Sequence, residues 1–236
     1  MADDVLINYE ARKMYFVRFF VLFNLWFVTL VAGVLAQSVE SDLKSDSRLL
    51  FSDDFLTSKQ WFISTSSQRS FNYSTDGYQI STSQPHTWWW ANCPFTDANI
   101  FDSPFIVDVS AIVAVADTHK DGGFGIAFDQ TNDSNFGWIS FNRHGYYKMN
   151  RWVNGSALSP PIIDWTPCRA YVNGVPNSIR IIHDEDSVEL VVNGVSIVKS
   201  NEFAIPKSRM KISILVDNFD DTGAIAHFYK FRLFQQ

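Results

Sequence analysis

The 236-residue chain is poor in the residues that most site chemistry needs. It has two cysteines and five histidines, with no Cys-x-x-Cys pair and no Cys/His cluster. Structural zinc and dithiol redox chemistry therefore lack their usual ligand spacing. None of His86, His119, His144, His183 and His227 has a Ser or Cys at nucleophile spacing, and all five read as loop or surface residues. The net charge is −6, with no Lys/Arg stripe, so the electrostatic footprint of nucleic-acid binding is missing. Asp121-Gly122-Gly123 leads into a strand pattern and not into a helix, which excludes a phosphate loop. After residue 37 no long stretch combines a 3.6-residue apolar period with helix caps.

Apolar and aromatic residues are abundant, and the first long apolar run is N-terminal. Phe19–Ala36 is almost wholly apolar, follows Arg12, Lys13 and Arg18, and ends in Val34-Leu35-Ala36 before Gln37. A basic flank, an apolar stretch and that exit describe a signal peptide over residues 1–36. The alternative is an uncleaved signal-anchor, since about 18 apolar residues just span a bilayer. Met14 is a second start that would leave a shorter leader. Either way, residues 37–236 are expected outside the cytoplasm, secreted or held to a membrane only through residues 19–36. Residues 37–47 form a polar lead-in, and residues 48–236 are expected to be one domain, long enough for a well-buried core.

Both cysteines, Cys93 and Cys168, fall in the exported part, and each adjoins a proline, Pro94 or Pro167. An even count in an oxidising compartment predicts a bridge between them, worth roughly 4–5 kcal/mol for a loop of about 75 residues. Three Asn-x-Ser sequons, at Asn72, Asn132 and Asn154, sit in polar, turn-rich sequence and would carry glycans in a eukaryotic host.

The periodicity is that of strands. Phe124, Ile126 and Phe128 alternate with Gly125, Ala127 and Asp129. Asn193-Gly194 joins two apolar runs, the sequence of a two-residue hairpin turn. SIRIIHD, KISILVD and HFYKFRLF are further strand-like runs. Many short strands in one domain of this size predict an all-β, two-sheet antiparallel sandwich. In a strand, Trp88 and Trp90 of HTWWWANCPF share one face and Trp89 takes the other. One phase belongs to a core, and the other looks out.

The ordered set FSDDF, GYQIST, WWWAN, FIVDVSAIV, DGGFGIAF, SNFGWISFNRHGYYKMNRW, DWTP, PNSIRII and LVVNGVSI resembles the concanavalin A-like lectin/glucanase superfamily. Within it the chain is similar to laminin-G-like domains of the 3-keto-disaccharide hydrolase type, formerly a domain of unknown function likened to family 16 glycoside hydrolases. The resemblance runs from about Phe51 to Phe234 and implies a jelly roll whose first and last strands are neighbours. It also implies burial of Gly137, Ile139 and Phe141, and by the same alternation of Tyr147 and Met149. Trp138, Tyr146 and Trp152 are then left on an open face, with Asp129 beside them.

Two departures bear on chemistry. Glucanases of family 16 carry Glu-x-Asp-x-(x)-Glu on one strand. The nearest stretch here, HDEDSVEL, does not keep that spacing at Glu185, Asp186 and Glu189, and reads as a solvated turn before the hairpin. Relatives also end in Phe-Asp-Asn-Phe, whose Asp helps to hold a structural calcium. Here Phe228-Tyr229-Lys230-Phe231 stands in its place, leaving Asp53, Asp54, Asp217 and Asp220 as oxygen donors elsewhere. No cofactor is expected.

The leading expectation is a non-catalytic module binding carbohydrate or a glycosylated surface through Trp88, Trp90, Asp129, Trp138, Tyr146 and Trp152. The alternatives are a secreted glycoside hydrolase and a protein-binding adhesion domain.

Overall fold

Alternation along each strand sorts apolar side chains to one side and builds two antiparallel sheets that close on a common core. The computed structural model describes residues 47–57, 60–95, 104–113, 122–184, 186–203, 211–219 and 223–236. The expected signal or anchor at 1–36, and His119, Glu185 and Asp220, lie outside these. The described residues contain no helix long and apolar enough to cross a membrane.

The nine-stranded sheet contains β1 (Arg48–Asp53), β2 (Ser64–Thr65), β3 (Arg69–Tyr73), β4 (Tyr78–Thr82), β6 (Phe105–Val113), β12 (Asn177–His183), β13 (Val188–Val192), β14 (Val195–Ser200) and β16 (Ala224–Gln235). Its order is β14-β13-β12-β6-β16-β4-β3-β2, with β1 also on β16. The first and last described strands are thus partners, Arg48 facing Gln235 and Asp53 facing Phe231. The seven-stranded sheet contains β5 (Thr87–Asn92), β7 (Gly122–Asn132), β8 (Asn135–Asn142), β9 (Tyr146–Val153), β10 (Ser156–Ala157), β11 (Ile163–Pro167) and β15 (Lys211–Asn218). Its order is β10-β9-β8-β7-β15-β5, with β11 also on β9. The arrangement is an all-β sandwich of jelly-roll type.

The core lies between the sheets. Phe124, Ile126 and Phe128 of β7, Ile139 and Phe141 of β8, and Tyr147 and Met149 of β9 meet Val107, Val109, Ile179, Ile181, Phe228 and Phe231 of the other sheet. Each such side chain contributes about 1.5–3 kcal/mol by leaving water. The β13–β14 turn has φ of +49° at Asn193 and +80° at Gly194, the left-handed pair that an Asn-Gly hairpin turn requires.

Three sequence expectations fail here. Cys93 and Cys168 are free and separately buried. Cys93 follows β5 at one edge of the seven-stranded sheet, and Cys168 follows β11 at the opposite edge. Five strand spacings of about 4.8 Å lie between those strands, far beyond the roughly 4.4–6.8 Å that a disulfide spans. Burial pushes the Cys93 thiol up to about 12 and raises that of Cys168. Asn72 stands within β3 and not in a turn; its amide donates to Ser70 Oγ, and its carbonyl oxygen accepts from Thr65 Oγ1 at 3.3 Å. Asn132 and Asn154 do lie at hairpin ends, where Asn132 Oδ1 accepts from the Ser134 amide at 2.8 Å and Asn154 takes a φ of +52°. His183 is a buried residue at the end of β12, stacked on Phe105 with centroids 4.8 Å apart.

Candidate functional site

The second phase of the seven-stranded sheet faces away from the core, and it is unusually aromatic. Trp88 and Trp90 project from β5, Phe136 and Trp138 from β8, and Trp152 from β9. They form a cluster of their own over Leu215 of β15 and Ala127 of β7, separate from the main core. Trp89, between them in sequence, packs instead toward the main core, with the Arg69 guanidinium 3.8 Å from its ring centroid. The triple-Trp run therefore serves both faces of one strand.

The outer rings meet mostly edge to face. Trp88 lies 5.9 Å from Trp90 at 71°, 5.3 Å from Trp138 at 62° and 5.2 Å from Trp152 at 56°. Phe136 and Trp152 are the stacked pair, at 14°. Such contacts add about 0.5–1.5 kcal/mol per pair beyond burial, so the rings hold each other in place. Trp138 lies at the bottom of the cluster and is only 7% exposed. Trp88, Trp90 and Trp152 are half-buried and keep part of their ring surface accessible.

Beside the aromatic cluster lies a polar region. Asp217 of β15 and Ser140 of β8 stand on either side of Gly123 and Gly125 of β7, in the registers Asp217↔Gly123 and Gly125↔Ser140. Across those glycines the Ser140 hydroxyl donates to Asp217 Oδ2 at 3.0 Å. The glycines are obligatory, because a Cβ at Gly123 would lie 2.5 Å from the Phe141 carbonyl oxygen and one at Gly125 would lie 2.2 Å from that of Ile139. Lys148, opposite Ser140 on β9, reaches Asp164 of β11 at 3.5 Å. Trp165 and Phe219 close this end edge to face, with centroids 4.9 Å apart. Burial pushes the Asp217 carboxyl up to about 7, against the hydrogen bond from Ser140 and the charge of Lys148. On the same face, Ser213 Oγ lies 2.7 Å from Asn92 Oδ1 and 3.0 Å from Gln130 Oε1.

The structure brings Trp88, Trp90, Trp138 and Trp152 together and leaves two expected residues out. Tyr146 is on the outer phase of β9, but six residues from Trp152, or about 20 Å along an extended strand. Asp129 turns inward. Its φ is +55°, and the β7 register slips on both sides, between Phe128 and Asn132 against β8 and between Lys211 and Ser213 against β15. That bulge reverses the side-chain phase. Asp129 therefore points to His183 of the opposite sheet, Oδ2 to Nε2 3.3 Å, and Gln130 takes the outer position. Burial raises the Asp129 carboxyl, with His183 acting in the other direction. Asp217, expected only among the oxygen donors for calcium, and Ser140 are the polar residues that sequence reasoning left out of this site. The alternation of Ser213, Leu215 and Asp217 in KISILVD is the signal that would have found the first.

As for metals, Asp53 Oδ1 accepts from the Phe55 amide at 2.7 Å, and Asp54 Oδ1 from the amides of Leu56 and Thr57 at 2.9 and 3.2 Å. The described residues hold no group of three or more His, Cys, Asp or Glu side chains arranged for an ion.

No protein-family model matches the sequence, and no curated protein matches it. Solved structures do share its fold. It is similar to the carbohydrate binding module CBM66 from Bacillus subtilis, at 13% identity and a TM-score of 0.53, over 74% of this chain and 96% of that one. It is similar to the metal-free carbohydrate recognition domain of Emp46p, at 10% identity and a TM-score of 0.55, over 77% and 94%. A chain from work on endo-acting O-glycanases of prominent members of the human gut microbiota aligns at 10% identity and a TM-score of 0.56, over 80% and 99%. At these identities the likeness is one of fold.

Proposed function

We propose that the protein is an extracytoplasmic, non-catalytic carbohydrate-binding module whose site is the outer face of the seven-stranded sheet. The observation that carries this reading is the cluster of Trp88, Trp90, Phe136, Trp138 and Trp152 on one solvent-facing phase, adjoined by Asp217, Ser140 and Lys148. Accessible ring surface suits the C–H faces of sugars, and a few placed polar groups suit their hydroxyls, the usual make-up of a small-ligand site. A soluble domain that needed no ligand would more cheaply carry polar residues there. The fold shared with a carbohydrate binding module and a carbohydrate recognition domain supports the same reading. Export rests on the signal-like residues 1–36, and glycosylation at the hairpin residues Asn132 and Asn154 is part of the proposal.

The non-catalytic part rests on the stretch nearest to a family 16 acid set. Glu189 of that stretch accepts from Ser196 Oγ at 2.6 Å across the β13–β14 hairpin, far in the fold from the aromatic face. A glycoside hydrolase of the 3-keto-disaccharide hydrolase type would instead place two carboxylates across a cleft, roughly 5–10 Å apart. The test is a glycan array followed by titration calorimetry. Wild-type protein is expected to bind a defined glycan class, and Trp152→Ala to weaken that binding about tenfold or more, equivalent to about 1.4 kcal/mol. Absence of glycan binding by folded protein would refute the reading and favour protein adhesion. Release of reducing sugar would refute its non-catalytic part.

A further inference from the structure

Resting on that reading, we propose that Asp217, held by Ser140 above the glycines of β7, selects neutral, hydroxyl-rich sugars by accepting hydrogen bonds from ligand hydroxyls at Oδ1. Four observations converge on this atom. Asp217 Oδ2 is engaged by Ser140, while no described group bonds Oδ1. The carboxyl belongs to the outer phase of β15, cross-strand from Trp88, so it adjoins the aromatic cluster. Glycine on the neighbouring strand leaves no side chain between Asp217 and Ser140. Lys148, the cation that acts on Asp217, is itself ion-paired to Asp164 at 3.5 Å.

That charge pattern decides the ligand class. A uronic, sialic or sulfated sugar brings an anion, which an uncompensated carboxylate repels and a committed lysine does not attract. Hydroxyls are donors, and an ionised carboxylate accepts them in charge-assisted bonds about twice as strong as neutral ones. Ser140 acts as a positioning residue, since it fixes one oxygen and so aims the other.

Of the groups packed around the carboxyl, β5 presents Trp88 and β7 presents glycine, both uncharged. β8 presents Ser140 and Asn142, and β9 and β11 present the Lys148–Asp164 pair. With its carboxyl pushed up to about 7, Asp217 loses its charge on mild acidification. If the ionised form alone accepts the ligand, affinity is about tenfold weaker at pH 6 than at pH 8.

The experiment uses the full-length protein on an array of neutral, sialylated and sulfated oligosaccharides. Calorimetric titrations follow with cello-, laminari-, manno- and chito-oligosaccharides between pH 5.5 and 8.5. Neutral glycans should dominate, with the tenfold loss on acidification. Asp217→Asn should weaken binding at pH 8 and flatten the profile. Ser140→Ala, whose lost hydrogen bond otherwise favours the carboxylate, should move the profile's midpoint to higher pH. Near-UV circular dichroism confirms folding of each variant, and the wild-type and Ser140→Ala profiles decide the matter if Asp217→Asn does not fold. Preference for acidic glycans, or wild-type affinity and slope in Asp217→Asn, would overturn this inference and leave carbohydrate binding standing. No bound glycan at any pH would remove both.

Discussion

Two aspartates stand on the outer faces of the two sheets, Asp108 on central β6 and Asp217 on β15, one strand in from the edge, and their surroundings are opposites. Asp108 of β6 is met from both neighbouring strands. Arg180 of β12 donates to its Oδ2 at 3.1 Å and Arg232 of β16 to the same oxygen at 2.7 Å, while Ser178 Oγ lies 3.3 Å from Oδ1. Asp217 of β15 is met by one hydroxyl. Both carboxyls have lost most of their water, yet only Asp108 has regained full compensation from protein. A satisfied carboxylate ties three strands together and has nothing left to offer. An under-satisfied one beside accessible rings is available to something else, and poised ionisable groups of this kind gather at functional sites.

The widest separation between the two faces comes from removing Asp108. Asp108→Ala removes the carboxylate that buried Arg180 and half-buried Arg232 share and is expected to cost about 3 kcal/mol, read as a lower urea midpoint. Next is Trp138→Ala. As the deepest ring of the outer cluster it is expected to cost about 3 kcal/mol through the cavity left behind, whereas half-buried Trp152→Ala is expected to cost about 1 kcal/mol and to act on the proposed glycan binding instead. Equal costs would mean that the cluster has no depth.

The two serines sharpen the contrast on a smaller scale. Ser178→Ala leaves Asp108 with both arginines and is expected to cost under about 1 kcal/mol, read from the urea midpoint. The most diagnostic contrast is in pH dependence. Because the folded Asp217 carboxyl lies above its ordinary value, the native state binds more protons than the unfolded chain. Its contribution to stability is therefore full below about pH 4 and is lost as pH rises through about 7. Asp129, also raised by burial, slopes the same way. Asp217→Asn should thus leave the urea midpoint unchanged near pH 4 and raise it at pH 8, with a shallower fall between. A wild-type slope in that variant would show that the carboxyl is not shielded from water.

Most of the strand framework was legible in the sequence because its causes are local. Period-2 alternation grouped Phe124 with Ile126 in β7, and the resemblance to concanavalin A-like domains implied burial of Ile139, Phe141, Tyr147 and Met149 in β8 and β9; all six are found in the core. The Asn193-Gly194 pair marked its own turn. Trp88 and Trp90 were separable from Trp89 by parity, although which phase looks out could be decided only by the second sheet. What escaped was whatever depends on a break in parity or on distance. The bulge at Asp129 leaves no trace in residue types, and one slipped residue sends a side chain through the sheet. His183 looked like a turn histidine because its partner arrives from that bulge. Tyr146 and Trp152 share a phase, and parity says nothing about the six residues between them. Trp138 was expected on an open face with Trp152, whereas packing of the rings against one another tilts them and sinks Trp138. The cysteine count was even, but pairing is a matter of position, and these two stand at opposite edges of one sheet.

The glycines of β7 also determine how this face can change over evolutionary time or in a designer's hands. At positions 123 and 125 any side chain would begin inside the reach of a main-chain carbonyl, 2.5 and 2.2 Å from its oxygen, so neither position is open to diversification. A library aimed at a new preference has to vary the walls: Trp88 and Trp90 on one side, Ser140, Lys148 and Trp152 on the other, and Trp165 and Phe219 at the end. The floor stays constant while the rim explores, so descendants of this face would differ in the chemistry of the rim and agree on the position of the floor.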